Sequence, residues 1–388
     1  MLTEEQLEIR QLAREFAQGE IRPHVEAWDA ARWIPEELFE KLAELGFLGM
    51  RIPEPYGGLA FDASTYLTVL EAMAWGDASV ALSLSIHNGP VCRVILEHGT
   101  DGQKEQWLPL MATGQALAAF ALSEEEAGSD PGALECRARP AGDGWVLDGS
   151  KAWVTNGDRA GLLLVFARTG QGTEGISAFL VPGNASGIQT EGRERTLGLS
   201  ASETVSLRFQ EVELPGEALL GEVGGGYGMA MDALIIGRLG VAAQALGIGQ
   251  AAFEHAISYA GEREQFGRPL NRFGAIQEKL AGMAIRLAQA RALTLEVAGR
   301  VDGGETASTG LPVSLKSSAA MAKVAASEAA MWVADEAVQI FGGYGYMRDY
   351  PVERLMRDAK GTEIYEGANE VLRWIVARDT VKESGTGD

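Results

Sequence analysis

The chain predicts a multi-domain α+β protein: an N-terminal helical domain, a small β-barrel or sheet domain in the middle, and a C-terminal four-helix bundle. Two changes of apolar period along its 388 residues carry this prediction. Apolar side chains recur at helical intervals over residues 1–115, then short β-rich runs divided by turn signals occupy 116–225. Long helical patterns return over 226–388, where short connections between long helices favour antiparallel neighbours.

Thr3 and Gln6 form a capping-box pair ahead of Ile9, Leu12 and Phe16, which share one helical face. Pro35 suits a first helical position, Leu38, Leu42 and Leu45 follow on one stripe, and Gly46 caps them. Ser64 opens another helix, and segments ending near Gly99 and Gly114 complete the set. Between them IPEPYGG, at 52–58, reads as a turn-rich connection.

In the middle region the expected strands are Leu117 to Leu122, Gly144 to Val154, Leu162 to Phe166, Ile176 to Val181 and Thr204 to Phe209. Gly142-Asp143-Gly144 and Asn156-Gly157 mark turns between them, which points to mainly antiparallel pairing. Pro215 and the glycines at 221 and 224–226 mark the exit. Helices are then expected over 228–262, 271–300, 311–341, 351–360 and 368–380, with Asp302-Gly303-Gly304 as a separating turn.

Composition narrows the function. Fifty-four acidic residues against 33 basic ones give a net charge of −21, which argues against nucleic acid or an anionic membrane as partner. Cys92 and Cys136 lie far apart, and His24, His87, His98 and His255 are scattered, so neither a disulfide framework nor a metal site is indicated. No apolar run reaches the roughly 20 residues that a spanning helix needs. The start, MLTEEQLEIR, lacks a signal-peptide apolar region and is too acidic for a transit peptide, so the expected location is cytoplasmic. Gly247 to Ala252 fits G-x-G-x-x-A, but it lies inside a helical pattern, which argues against a nicotinamide-binding Rossmann unit.

One stretch stands out chemically. Thr362 to Gly367 lies between two helical patterns and sets Glu366 among apolar neighbours, where lost hydration would raise its proton affinity toward neutrality. Such a carboxylate suits a general base facing a weakly acidic proton.

GGYGYMRDYPVERLMRDAKGTEIYEG, at 342–367, resembles the C-terminal signature of the acyl-CoA dehydrogenase family, most nearly its short-chain (butyryl-CoA) members. AFALSEEEAGSD at 119–130, KAWVTNG at 151–157 and EREQFGRPL at 262–270 match in the family's order. The resemblance spans nearly the whole chain and implies FAD-dependent α,β-dehydrogenation of an acyl-CoA, with Glu366 taking the α-proton and flavin N5 the β-hydride. It implies that Phe120 to Ser129 runs along the flavin, including Leu122, Ser123 and Gly128. Trp153, Val154 and Thr155 would cover the ring, with the Thr155 hydroxyl near N5. Ala368, Asn369 and Glu370 would follow on the cofactor side. Arg263, Phe266, Gln339, Gly342 and Gly343 would hold the pyrophosphate and adenosine of a neighbouring subunit's FAD, making a homotetramer the expected assembly.

On the substrate side the resemblance places Ser129, Arg238, Tyr365 and Gly367. The thioester oxygen would meet the Glu366 N–H and a ribityl hydroxyl. Electron-transferring flavoprotein is the implied acceptor. Some relatives carry the base just before the arginine, where this chain has Gly237. Ile235, Gly274, Ala368 and Glu125 depart from the family pattern, which raises the expectation of an atypical acyl group or carrier, such as an acyl carrier protein thioester. The same fold also hosts flavin oxidases and monooxygenases, and a non-catalytic scaffold is the rival from another class.

Overall fold

The computed structural model describes residues 2–303 and 313–383, and its elements follow in the expected helical, β, helical order. The first part comprises α1 (Glu4–Phe16), α2 (Val25–Ala31), α3 (Glu36–Glu44), α4 (Ala63–Gly76), α5 (Ala78–Ile86), α6 (Cys92–His98) and α7 (Asp101–Ala112). At the start of α1 the Gln6 N–H donates to Thr3 Oγ1 at 3.2 Å, and the Thr3 N–H donates back to Gln6 Oε1 at 3.0 Å. This satisfies two amides that a helix start leaves without intrahelical acceptors. Asp62, not a later residue, caps α4: its carboxylate accepts the Thr65 N–H at 2.6 Å, so the helix begins one residue before Ser64.

The middle part holds β1 (Ala118–Ala121), β2 (Arg137–Ala141), β3 (Gly144–Thr155), β4 (Leu162–Arg168), β5 (Ile176–Pro182), β6 (Ile188–Arg193), β7 (Thr204–Leu214) and β8 (Leu219–Leu220). They form one sheet in the order β6, β7, β3, β2, β4, β5, β8, with β1 parallel to β4. With β6 and β8 ending this order, the middle domain takes the sheet form of the expected β-barrel or sheet. β2 and β6 escaped the sequence reading because most of their side chains are exposed, which removes the inside-outside alternation that marks a strand. In β4 that alternation sorts two cores: Leu162, Leu164 and Phe166 join the helical core, while Leu163, Val165 and Ala167 face the sheet's own.

The last part contains α8 (Gly226–Glu262), the short strands β9 (Glu264–Gln265) and β10 (Arg268–Pro269), α9 (Gly274–Gly303), α10 (Leu315–Phe341), α11 (Pro351–Thr362) and α12 (Asn369–Glu383). α8 is the central post, packed by α4, α9, α10 and α11. Gly247 and Gly249 lie within it, and their lack of a side chain admits its neighbours. A β-carbon at 247 would fall 2.4 Å from the Glu71 carbonyl oxygen, and one at 249 would fall 2.7 Å from Leu287 Cδ2.

Two expectations are corrected here. α9 runs through Asp302 and Gly303, where a turn was expected; the Asp302 carboxylate accepts the Ala63 N–H at 2.7 Å and ties α9 to the start of α4. Gly304 lies outside the described residues. Two helical stretches, Ala78–His98 and Gly226–Glu262, are long and apolar enough to cross a membrane, contrary to the expectation of none. Their apolar surface is largely buried inside the bundle, which accounts for its composition.

Candidate active site

Between α11 and α12 the chain turns through Glu366 at φ 56° and Gly367 at φ 99°. A left-handed backbone at a residue with a β-carbon costs on the order of 1–2 kcal/mol, so the surroundings must impose it. They do so from three sides. The Asn369 N–H donates to the Glu363 carbonyl at 3.0 Å, Lys323 Nζ donates to the Gly367 carbonyl at 2.9 Å, and Arg238 Nε donates to the Glu366 carbonyl at 3.3 Å. Held this way, the Glu366 side chain points at α8.

Gly237 receives it. A β-carbon at 237 would lie 2.5 Å from Glu366 Oε2, so only glycine leaves room for the carboxylate. Oε2 is sealed from solvent and has no hydrogen-bond partner. Burial pushes the carboxyl up to about 7, against the opposing pull of Arg238 and Lys323. Arg238 is itself 3% exposed, and its Nη1 is also without a partner. A buried acceptor and a buried donor left open beside a cavity are groups a ligand can satisfy.

That cavity is a cleft of about 1130 Å³ between the β domain and the helical bundle. Its β wall is built around Trp153, which sits at φ 55° at a register shift between β3 and β7. A bulge re-aims a side chain, and here it leaves the indole 51% exposed toward the cleft. Gly128 lies beside that ring, where a β-carbon would make only ordinary contact at 4.0 Å with Trp153 Cζ3. The 122–129 segment is fastened by a buried ion pair: Lys151 Nζ donates to the Leu122 carbonyl at 2.9 Å and to Glu124 Oε1 at 2.7 Å, and Glu124 accepts the Cys136 N–H at 2.9 Å.

Of the residues singled out in the sequence, Phe120, Leu122, Ser123, Gly128, Ser129, Trp153, Thr155, Arg238, Tyr365, Glu366, Gly367 and Ala368 all line this cleft. Val154 does not, because alternation along β3 turns it into the sheet's own core. The Asn369 side chain lies between α10 and α12, donating to Ser327 Oγ at 3.0 Å and accepting from Lys323 Nζ at 2.9 Å. Glu370 is exposed and outside the cleft lining. Arg263, Phe266, Gln339, Gly342 and Gly343 form an exposed group around the β9–β10 hairpin and the end of α10, away from the cleft lining. Phe266 is 95% exposed, and the Arg263 guanidinium stands 5.6 Å from the centre of the Tyr344 ring. Of the departures, Ala368 lines the cleft, Ile235 is buried in α8, Gly274 opens α9 and Glu125 is exposed.

The sequence reading missed three groups. Lys323 is a lone cation in the alanine-rich run AAMAKVAAS, and that isolation was its signal. Gln244 accepts from the Tyr365 hydroxyl at 2.7 Å and donates to the Ala78 carbonyl at 2.7 Å, tying Tyr365 to α8 and the start of α5. The Lys151–Glu124 pair joins residues that local patterning cannot connect.

An open aromatic face on one wall, a hydroxyl beside it at Thr155 and a half-buried carboxylate of near-neutral proton affinity on the other wall fit a flat redox cofactor and an acid–base partner. Fold and site together define a three-domain flavoprotein oxidoreductase. Profiles of the acyl-CoA dehydrogenase N-terminal, middle and C-terminal domains match residues 3–115, 119–212 and 224–380. An acyl-CoA dehydrogenase of Bacillus subtilis (strain 168) is 43% identical, the alignment covering 97% of this chain and 98% of that one. The solved butyryl-CoA dehydrogenase of Megasphaera elsdenii is 39% identical with a TM-score of 0.94, covering 98% of this chain and 99% of that one. A chain in a solved structure of the electron transferring flavoprotein of Acidaminococcus fermentans is 41% identical with a TM-score of 0.94, covering 98% of this chain and 99% of that one. The chain belongs to the acyl-CoA dehydrogenase family, and its cofactor is FAD.

Proposed function

We propose that the protein dehydrogenates short-chain acyl-CoA thioesters to trans-2-enoyl-CoA, with Glu366 as the base that removes the α-proton. The observation that carries this is the half-buried Glu366, its Oε2 sealed and unpartnered, on a cleft with an open aromatic wall. FAD, when bound, supplies the hydride acceptor that no side chain provides. Trp153 and the 122–129 segment would form its wall, and the Thr155 hydroxyl would meet a ring heteroatom. As the α-proton leaves, negative charge grows on the thioester oxygen, and the Glu366 N–H is the protein group that would stabilise it. Arg238 and Lys323, bonded to the carbonyls of Glu366 and Gly367, keep the carboxylate aimed.

The test is anaerobic bleaching of the purified yellow enzyme by straight, branched and dicarboxylic acyl-CoAs and by an acyl carrier protein thioester. Butyryl-CoA is expected to bleach it fastest; no bleaching by any CoA thioester would overturn the assignment.

Because the base acts as carboxylate, kcat/KM should rise with pH through about 7 and level off above it, reporting Glu366 in the free enzyme. A rate that falls as pH rises through that window, measured by steady-state assay, would contradict the sign.

Tyr365 lines the cleft, and the Gln244 bond that holds its hydroxyl would limit the acyl chain to short lengths. Gln244→Ala should free the ring and raise the octanoyl-to-butyryl ratio of kcat/KM roughly tenfold. An unchanged ratio in a folded variant would remove Gln244 as the limit on chain length.

The exposed Arg263, Phe266, Gln339, Gly342 and Gly343 group supports a homotetramer in which each subunit completes a neighbour's FAD site. Electron transferring flavoprotein is the proposed acceptor, supported by the likeness to a chain in the Acidaminococcus structure.

A further inference from the structure

Lys323 is the most deeply buried cation beside the cleft. It is 0% exposed, and its neighbours along α10 include Ala319, Ala320, Ala322 and Ala326, all fully buried. A lysine stem and ammonium are costly to hide, so such a group persists where its donors are satisfied and its charge is answered. Here Nζ donates to the Gly367 carbonyl at 2.9 Å and to Asn369 Oδ1 at 2.9 Å. The first acceptor belongs to the turn that carries Glu366, and the second opens α12 directly after it. Asn369 is fixed in turn, donating from Nδ2 to Ser327 Oγ at 3.0 Å and to Glu328 Oε1 at 3.3 Å. α10 is one continuous 27-residue helix packed on α8 and α9, so Lys323 couples the turn to the bundle and not to a loop.

We propose that Lys323 is a positioning residue for proton abstraction: its ammonium locks the left-handed turn at Glu366 and Gly367 and sets a positive charge behind the carboxylate that Glu366 must present. This rests on Glu366 being the base. The charges facing Glu366 are Arg238 on α8 and Lys323 on α10, with the titratable hydroxyls of Tyr66 on α4 and Tyr365 beside it; Glu363 after α11 and Glu370 on α12 face Lys323. Arg238 and Lys323 favour the carboxylate form of Glu366; burial pulls the Lys323 ammonium down to about 7, with Glu366, Glu363 and Glu370 supporting its charge and Arg238 opposing it. The arrangement is reciprocal. A cation donated to the Gly367 carbonyl steadies the carboxylate, and the carboxylate lets the cation remain buried.

The two effects separate in two variants. Lys323→Gln keeps a donor but removes the charge; Lys323→Met removes both. In each, the measurement is the titration of the infrared carboxyl band that Glu366→Gln abolishes, followed in the resting enzyme, together with the pH profile of anaerobic flavin reduction by butyryl-CoA. Lys323→Gln should move the Glu366 midpoint up by about one unit. Lys323→Met should do the same and also slow flavin reduction at its plateau about tenfold or more, because the turn loses its anchor. Visible absorbance should show FAD still bound in both. An unshifted midpoint in Lys323→Gln overturns the proposal, even if Lys323→Met fails to fold. If instead Glu366→Gln retains flavin reduction, the assignment of the base fails and not the role of Lys323 in the turn, so the two failures are distinguishable.

Discussion

Glu366→Gln is expected to lower the rate of anaerobic flavin reduction by butyryl-CoA by about 10³-fold or more, while FAD content and acyl-CoA affinity stay near wild type. General-base catalysis contributes typically 10²–10⁴-fold, and the α-proton beside a thioester is too weakly acidic for a carboxamide to remove. The amide has the same shape as the carboxylate, so Gly237 still accommodates it, and the bonds that hold the turn run to backbone carbonyls that the substitution does not touch. Stopped-flow absorbance of the flavin band separates chemistry from binding. Reduction at a wild-type rate would remove Glu366 as the base.

The second large effect is expected at the residue opposite. Gly237→Ala places a β-carbon 2.5 Å from Glu366 Oε2, inside van der Waals contact, and the carboxylate must give way because the α8 backbone cannot. The turn fixes the Glu366 backbone, so the displacement falls on the side chain and is of the order of 1 Å. A misplacement of that size can cost about 10²-fold in rate. The helix itself gains from alanine, whose propensity exceeds that of glycine by roughly 1 kcal/mol. Thermal melting should therefore show a folded protein while flavin reduction falls about 10²-fold. Unimpaired reduction would mean that the carboxylate does not work from the pocket Gly237 provides.

Much of this arrangement was visible in the chain before any coordinates. Helices with an apolar stripe and a terminal cap, such as α1 with Thr3 and Gln6, announce themselves because the pattern and the cap are both local. α8 was equally legible as one long helix, and its helical pattern already argued against a nucleotide loop at the glycines 247 and 249, on which α4 and α9 close. β2 and β6 were not legible, since strands exposed on both faces carry no period. Asp302 and Gly303 have turn-forming composition but sit in a helix, because the Asp302 carboxylate finds its acceptor role 239 residues away at Ala63.

In the site, Glu366 was found from its local setting and its motif, and the resemblance pointed to Gly237 and Arg238, whereas Lys323 and the way the three meet were not legible. Gly237, Arg238 and Lys323 come from two helices distant in sequence, and their convergence is a product of the bundle. Val154 and Asn369 lie within motifs that line the cleft, yet their side chains turn away from it. Adjacency in a motif places a backbone near a site; alternation and packing decide which side chains reach it.

The most direct measurement is a crystal structure of the FAD-loaded Glu366→Gln enzyme with butyryl-CoA bound. The account predicts the α-carbon of the acyl chain beside the side chain at position 366, with the flavin ring on the opposite face of the ligand against Trp153. A thioester lodged elsewhere, or a flavin on the same side of the ligand as position 366, would contradict it.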